Sequence, residues 1–128
     1  MTIRVLRLGT DRSDDEGLRL GTVRRPPRGV RKERLAPDNW YDVWLPQLAP
    51  SAELVKQAQG ATTSRDWQSF VKKYRAEMAD ADNARLIAML AALSHQTNLS
   101  VGCYCADEDH CHRSVLRELL RESGASVT

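Results

Sequence analysis

The sequence predicts an α/β fold, a single three-layer α/β/α domain over residues 1–128 built on a small, mostly parallel sheet. Three observations predict it. Short apolar runs of strand length at residues 3–8, 18–24 and 99–104 are separated by longer segments with other patterning. Residues 64–79 and 84–94 carry apolar side chains at helical spacing, as helices covering a sheet do. The polar, chemistry-bearing residues crowd where the third run passes into a final helical stretch, the place where parallel α/β sheets bear their sites.

Each element has a local reason. Residues 3–8 set Ile3, Val5, Leu6 and Leu8 among arginines, which suits a strand with one buried face, and Gly9 ends it. Ser13 and Glu16 stand at capping-box spacing, so one polar helical turn is expected before Gly17. Residues 18–24 form a second strand in which Gly21 marks a bulge or a close approach, and Pro26, Pro27 and Gly29 stop it. The nine residues 9–17 are short for a crossover, so parallel and antiparallel pairing of the first two strands both stay open. Trp40, Val43, Trp44 and Leu48 share helical spacing that Pro46 interrupts; these aromatics either stack a base or anchor an irregular loop. Ser51 caps a short helix ending near Gly60. Trp67, Phe70, Val71, Tyr74 and Met78 form the core stripe of residues 64–79. Asp82 or Asn83 caps residues 84–94, whose Leu86, Ile87, Leu90 and Leu93 share one side, with His95 at the C-terminal end. The last strand, 99–104, feeds a helix carrying Val115, Leu116, Leu119 and Leu120, and Gly124 ends it.

Composition narrows the function. The 128 residues hold no apolar run long enough to span a bilayer and no secretory leader pattern, so a cytoplasmic protein without membrane partners is expected. Three cysteines, two of them one residue apart, argue for reduced thiols over a disulfide framework. The net charge of +2 hides an asymmetry: residues 1–36 carry ten Lys/Arg against five Asp/Glu, and the remainder is net acidic. The rigid turn after the second strand displays Arg24, Arg25 and Arg28, which either clamp an anion or brace the fold against Asp107, Glu108 or Asp109.

All three cysteines (Cys103, Cys105, Cys111), two of three histidines (His110, His112) and Arg113 fall within residues 103–113. Their spacing lacks the paired Cys-x2-Cys arrangement of zinc knuckles and ribbons, so no metal is assigned. The Cys-x5-Arg pattern of cysteine phosphatases is also absent, because Asp107 stands where its nucleophile would be. Cys111, expected in the first helical turn beside His112 and Arg113, is a candidate thiolate; sequence neighbours on a helix, however, point about 100° apart and do not face each other. In the binding alternative, Arg113 and the helix N-terminus hold an anion while Glu108 fixes a ligand group or orients Arg113.

The run Cys105-Ala-Asp-Glu108-Asp-His-Cys111-His112-Arg113 resembles the C-terminal Cys-Glu-Cys-His-Arg signature of the bacterial domain of unknown function 488 family. The arginine-proline turn from Arg24 onward, the stretch from Trp44 to Ser51 and the segment from Trp67 through Tyr74 are similar to its YeaO-like branch. Relatives often carry an acid where Val23 stands and Leu-Trp at Arg25-Pro26. The resemblance implies a compact three-layer α/β domain and no established activity.

The expectation is therefore a carboxyl-edge cleft that binds a small anionic or phosphorylated ligand, a nucleotide or a nucleic-acid end. Arg24, Arg28, Cys105 and Arg113 are the candidate binding residues, and Glu108, Cys111 and His112 the candidate catalytic residues for hydrolase or transferase chemistry. No cofactor is expected. Two alternatives remain: a metal or thiol redox module using Cys105, Cys111 and His110 or His112, and a non-catalytic interaction domain presenting residues 40–44.

Overall fold

Four strands form one sheet, and one buried strand organises the other three. The computed structural model describes residues 1–128, with β1 (Ile3–Arg7), β2 (Leu18–Gly21), β3 (Val43–Trp44) and β4 (Leu99–Cys103) forming one sheet in the order β1-β4-β2-β3. All pairs are parallel: Ile3 and Leu18 both stand opposite Leu99, and Leu20 stands opposite Val43. Every residue of β4 is buried, as expected of a central parallel strand.

The parallel α/β class is as expected, and the open question about the first two strands is resolved by strand order. β1 and β2 are not neighbours; β4 lies between them, so the short connection only has to pass over one strand. Four helices, α1 (Ala52–Gln59), α2 (Ser64–Met78), α3 (Ala81–Leu93) and α4 (His112–Glu122), contribute Leu54, Phe70, Tyr74, Met78, Ile87, Leu90, Val115, Leu116 and Leu120 to one core with Ile3, Leu20, Leu99 and Val101 of the sheet. The other face presents Arg19, Gly21, Ser100 and Gly102, against which Glu16 and Tyr41 pack. Gly21 belongs there because a Cβ would sit 2.4 Å from the Tyr41 ring, so the close approach is that of a side chain.

Some local expectations shift. Residues 40–48 form no helix: Val43–Trp44 is a two-residue edge strand and Pro46–Leu48 a 3₁₀ turn, because Pro46 has no N–H to continue a helix. Trp44 donates its indole N–H to Val23 O at 2.8 Å, anchoring this loop. Ser51 caps α1 as expected, accepting from Leu54 N–H. α3 begins at Ala81 with Asp80 at the cap, earlier than Asp82 or Asn83 would place it, and Asn83 instead donates to Glu77 O. Leu93 is 38% exposed, whereas Ile87 and Leu90 are buried. Ser13 donates its backbone N–H and its hydroxyl to Glu16 Oε2, which is one half of a capping box, and no helix follows.

Glu16 has a second partner that alternation concealed. Arg19 is wholly buried within β2 and holds Glu16 at 2.5 Å, while its remaining N–H groups reach Asn39 O and Asp11 O. Beside it, Asp42 takes a two-pronged bond from Arg12 and the Arg19 backbone N–H. Burial alone would raise both carboxyls, but the hydrogen bonds and charges of Arg19 for Glu16, and of Arg12 for Asp42, outweigh it and hold both below their ordinary values.

Their stabilisation is therefore complete above the unfolded values of 4.5 and 3.8 and is lost as pH falls through the lower folded ones. Glu16→Ala leaves Arg19 buried and unpaired and is expected to cost about 3–5 kcal/mol. Urea melts of both proteins between pH 7 and pH 3 check this: the wild type loses stability on acidification, and the variant loses less.

Candidate functional site

Parallel strands deliver their following loops to one edge, and here those loops meet. β1 runs into Leu8, Gly9 and Thr10, β2 into Thr22 and the turn 23–28, and β4 into residues 104–111 before α4 begins. Together with α1 they line a cleft of about 1590 Å³. A smaller cavity of about 240 Å³ beside Arg4 and Glu16 contains none of the cysteines.

The cleft wall is cationic. Arg7, Arg24, Arg25, Arg28 and Lys56 line it, and no Asp or Glu does. None of these five cations forms an ion pair. The bracing role imagined for the turn falls to Arg24 alone, and through carbonyls rather than acids. Its guanidinium donates to Pro50 O at 2.9 Å and to Pro46 O and Ala49 O at 3.1 Å each. Tyr104 Oη donates to Arg25 O at 3.1 Å and pins the turn to the end of β4. Arg25 and Arg28 remain exposed. Trp40 and Tyr104, packed edge to face with centroids 5.7 Å apart, supply an aromatic wall.

The cleft floor is sulfur and imidazole. Cys103 and Cys111 are buried with their Sγ atoms 3.1 Å apart, and Cys105 is exposed, with its backbone N–H 3.4 Å from Cys103 Sγ. Cys111 is the residue before α4, in extended conformation. The 100° separation of helical neighbours therefore does not apply, and Cys111 Sγ lies 3.7 Å from His112 Nδ1. His112 Nε2 is 2.7 Å from Thr22 O, an atom that only accepts, so Nε2 carries a proton while Nδ1 faces the Cys111 sulfur. Thr22 Oγ1 also receives Nε2 at 3.2 Å while donating to Gly102 O.

The sulfurs divide charge unequally. The Cys103 and Cys111 thiols, and then the Arg113 charge, hold Cys105 down to about 3. Cys103 is pushed up by Cys105, Cys111 and its own burial.

Two expected site residues sit elsewhere. Glu108 lies outside the cleft and pairs with Arg117 at 2.7 Å, not with Arg113 or a ligand. Arg113 is only 3% exposed and does not reach the cleft; it donates to Cys105 O at 2.6 Å, and its Nε has no partner. His110 bonds Asp107 and packs on Trp67. The residues that sequence reasoning left out of the site are Arg7, Lys56, Tyr104 and Thr22. Arg7 had a signal, since it ends a strand whose carboxyl edge was expected to bind; Thr22 and Lys56 had none.

Fold and site define a small parallel α/β domain with a Cys/His cluster at the carboxyl edge of its central strand. The chain belongs to the DUF488-N3a family, described as the active DUF488-N3 subclade, which it matches over residues 3–124. It is similar to the uncharacterized protein YeaO of Escherichia coli (strain K12), with 28% identity over 121 residues covering 94% of this chain and 98% of that protein. No solved structure matches the chain. No helix is long and apolar enough to cross a membrane.

The two kinds of arginine in the turn separate by stability. Arg24→Ala removes charged hydrogen bonds to three carbonyls and is expected to cost about 1.5–3 kcal/mol. Arg28→Ala, which removes none, is expected to stay within about 0.5 kcal/mol of wild type. Chemical denaturation of both variants measures the difference.

Proposed function

We propose that the cleft binds a phosphate-bearing ligand of nucleotide type, a mononucleotide or the end of a nucleic-acid strand. One observation carries this reading: five cationic side chains line a cleft that contains no carboxylate, and none of them is neutralised by an ion pair. Cations gathered without counter-charge raise the local potential and favour an anion that brings its own. The aromatic wall of Trp40 and Tyr104 adds a surface on which a base can stack, which distinguishes a nucleotide from a bare phosphate.

Roles follow from position. Arg28 and Arg25, exposed on a turn pinned by Arg24 and Tyr104, meet the phosphate, with Arg7 and Lys56 adding charge. Arg113 acts from beneath, holding the loop through Cys105 O. The proposal is one of binding. Glu108 spends its carboxylate on Arg117, and His112 spends Nε2 on Thr22, so neither is posed as a general acid at the cleft mouth.

Tryptophan fluorescence titrated with AMP and with inorganic phosphate tests it. AMP is expected to bind more tightly than phosphate, with affinity falling as salt rises. The Arg25→Ala/Arg28→Ala double variant is expected to bind AMP roughly tenfold to a hundredfold more weakly. Absence of any response to either ligand, or equal binding by the double variant, contradicts the proposal.

A further inference from the structure

We propose that Cys103, Cys111, His112 and Cys105 form a binding site for one Zn²⁺ ion at the floor of the cleft. The site stands independently of whether the cleft takes a nucleotide. The ligating atoms of Cys103, Cys111 and His112 all lie within 4.8 Å of one another, and all three residues are buried. Tetrahedral zinc with ordinary bond lengths sets two thiolates about 3.8 Å apart and a thiolate and imidazole nitrogen about 3.5 Å apart. Cys111 Sγ and His112 Nδ1 already stand at 3.7 Å. The Cys103–Cys111 pair, at 3.1 Å, opens by about 0.7 Å to admit the ion.

The surroundings are those a zinc site requires. A ligating histidine donates its other ring N–H to a fixed acceptor, which orients the ring and selects the ligating nitrogen. Here the Thr22 carbonyl takes Nε2–H and leaves Nδ1 aimed at the sulfurs. The Cys105 backbone N–H points at Cys103 Sγ, a contact that strengthens when the sulfur is a thiolate.

Charge supplies the fourth ligand. Arg113 is buried, its Nε is unpartnered, and no carboxylate pairs with it. Zinc held by two thiolates and a neutral imidazole is uncharged and leaves that guanidinium unbalanced. A third thiolate gives the centre one net negative charge, which Arg113 offsets. Cys105, whose carbonyl already accepts from Arg113, is the cysteine placed to provide it from the cleft side. The soft, thiolate-rich donor set with one imidazole favours zinc over magnesium, calcium or manganese. Thiol protons are released as the ion binds, so uptake acidifies an unbuffered solution.

The arrangement differs from a knuckle in how its ligands are gathered. Cys103 comes from the end of a buried strand, Cys111 from an extended residue before a helix and His112 from that helix's first turn. The three-dimensional site therefore needs no Cys-x2-Cys spacing.

The test is titration of the reduced, chelator-treated full chain with Co²⁺ under anaerobic conditions, followed by Zn²⁺ competition. The expected result is one equivalent of tetrahedral Co²⁺ with intense thiolate charge-transfer absorption, displaced stoichiometrically by Zn²⁺. Cys111→Ser is expected to lose the tetrahedral spectrum. Cys105→Ala is expected to keep the ion with roughly a third less charge-transfer intensity, since one of three thiolates is gone. A wild-type chain that takes up neither metal overturns the proposal, as does a Cys111→Ser variant with an unchanged spectrum. An unchanged Cys105→Ala spectrum overturns the assignment of the fourth ligand. Failure of nucleotide binding leaves these readouts unaffected, so the two proposals fail separately.

Discussion

The bond from His112 to the Thr22 carbonyl, 2.7 Å long and buried, is the contact through which the cleft is assembled. Thr22 follows β2 and leads into the arginine turn, while His112 opens the helix that follows the cysteine loop. Ninety residues of sequence separate the two, and the His112 ring joins them, with Nε2 2.7 Å from Thr22 O and 3.2 Å from Thr22 Oγ1. Thr22 is in turn held to β4 through Gly102, by its N–H and its hydroxyl. The same bond selects the imidazole tautomer, so it determines both which loops face each other and which nitrogen faces the sulfurs.

Around that contact, positive charge is distributed by depth. The exposed cations of the cleft wall keep their charge solvated and available. Arg24 is turned into a strut by three carbonyls, and Arg113 is buried beneath the loop. Buried Arg19, by contrast, has its own acid in Glu16. The comparison isolates Arg113 as the buried guanidinium without a carboxylate, next to the only cluster of groups that can become anionic by losing a thiol proton.

How far the residues alone disclosed this depends on whether the signal was local. β4, α2 and α4 carry strong periodicity, and their outlines match the residues expected. β3 escaped because two edge residues cannot display an alternation, and Trp40, Val43 and Trp44 happen to fit a helical spacing. The insertion of β4 between β1 and β2 is a non-local choice that no window of sequence encodes, yet it brings the three loop exits together. Arg113 read as a ligand-binding group because an arginine at a helix start suggests an anion. In the structure Arg113 is buried in the first turn of α4 and donates to Cys105 O. Glu108 pairs with Arg117, nine residues further along and inside α4, a partner that its immediate neighbours do not announce. The cluster itself was visible as an accumulation of residue types, whereas its geometry depended on residue 111 being extended and not helical.

The orientation of the His112 ring joins the arginine turn to the cysteine loop, and a long-range ¹⁵N–¹H correlation spectrum of His112 in the folded chain at neutral pH reads it directly. The expected spectrum shows a proton on Nε2 and none on Nδ1. In Thr22→Val, which keeps the carbonyl and loses the hydroxyl, the same assignment is expected. A ring protonated on Nδ1 alone would point its lone pair at the Thr22 carbonyl and away from the sulfurs, and would contradict the account.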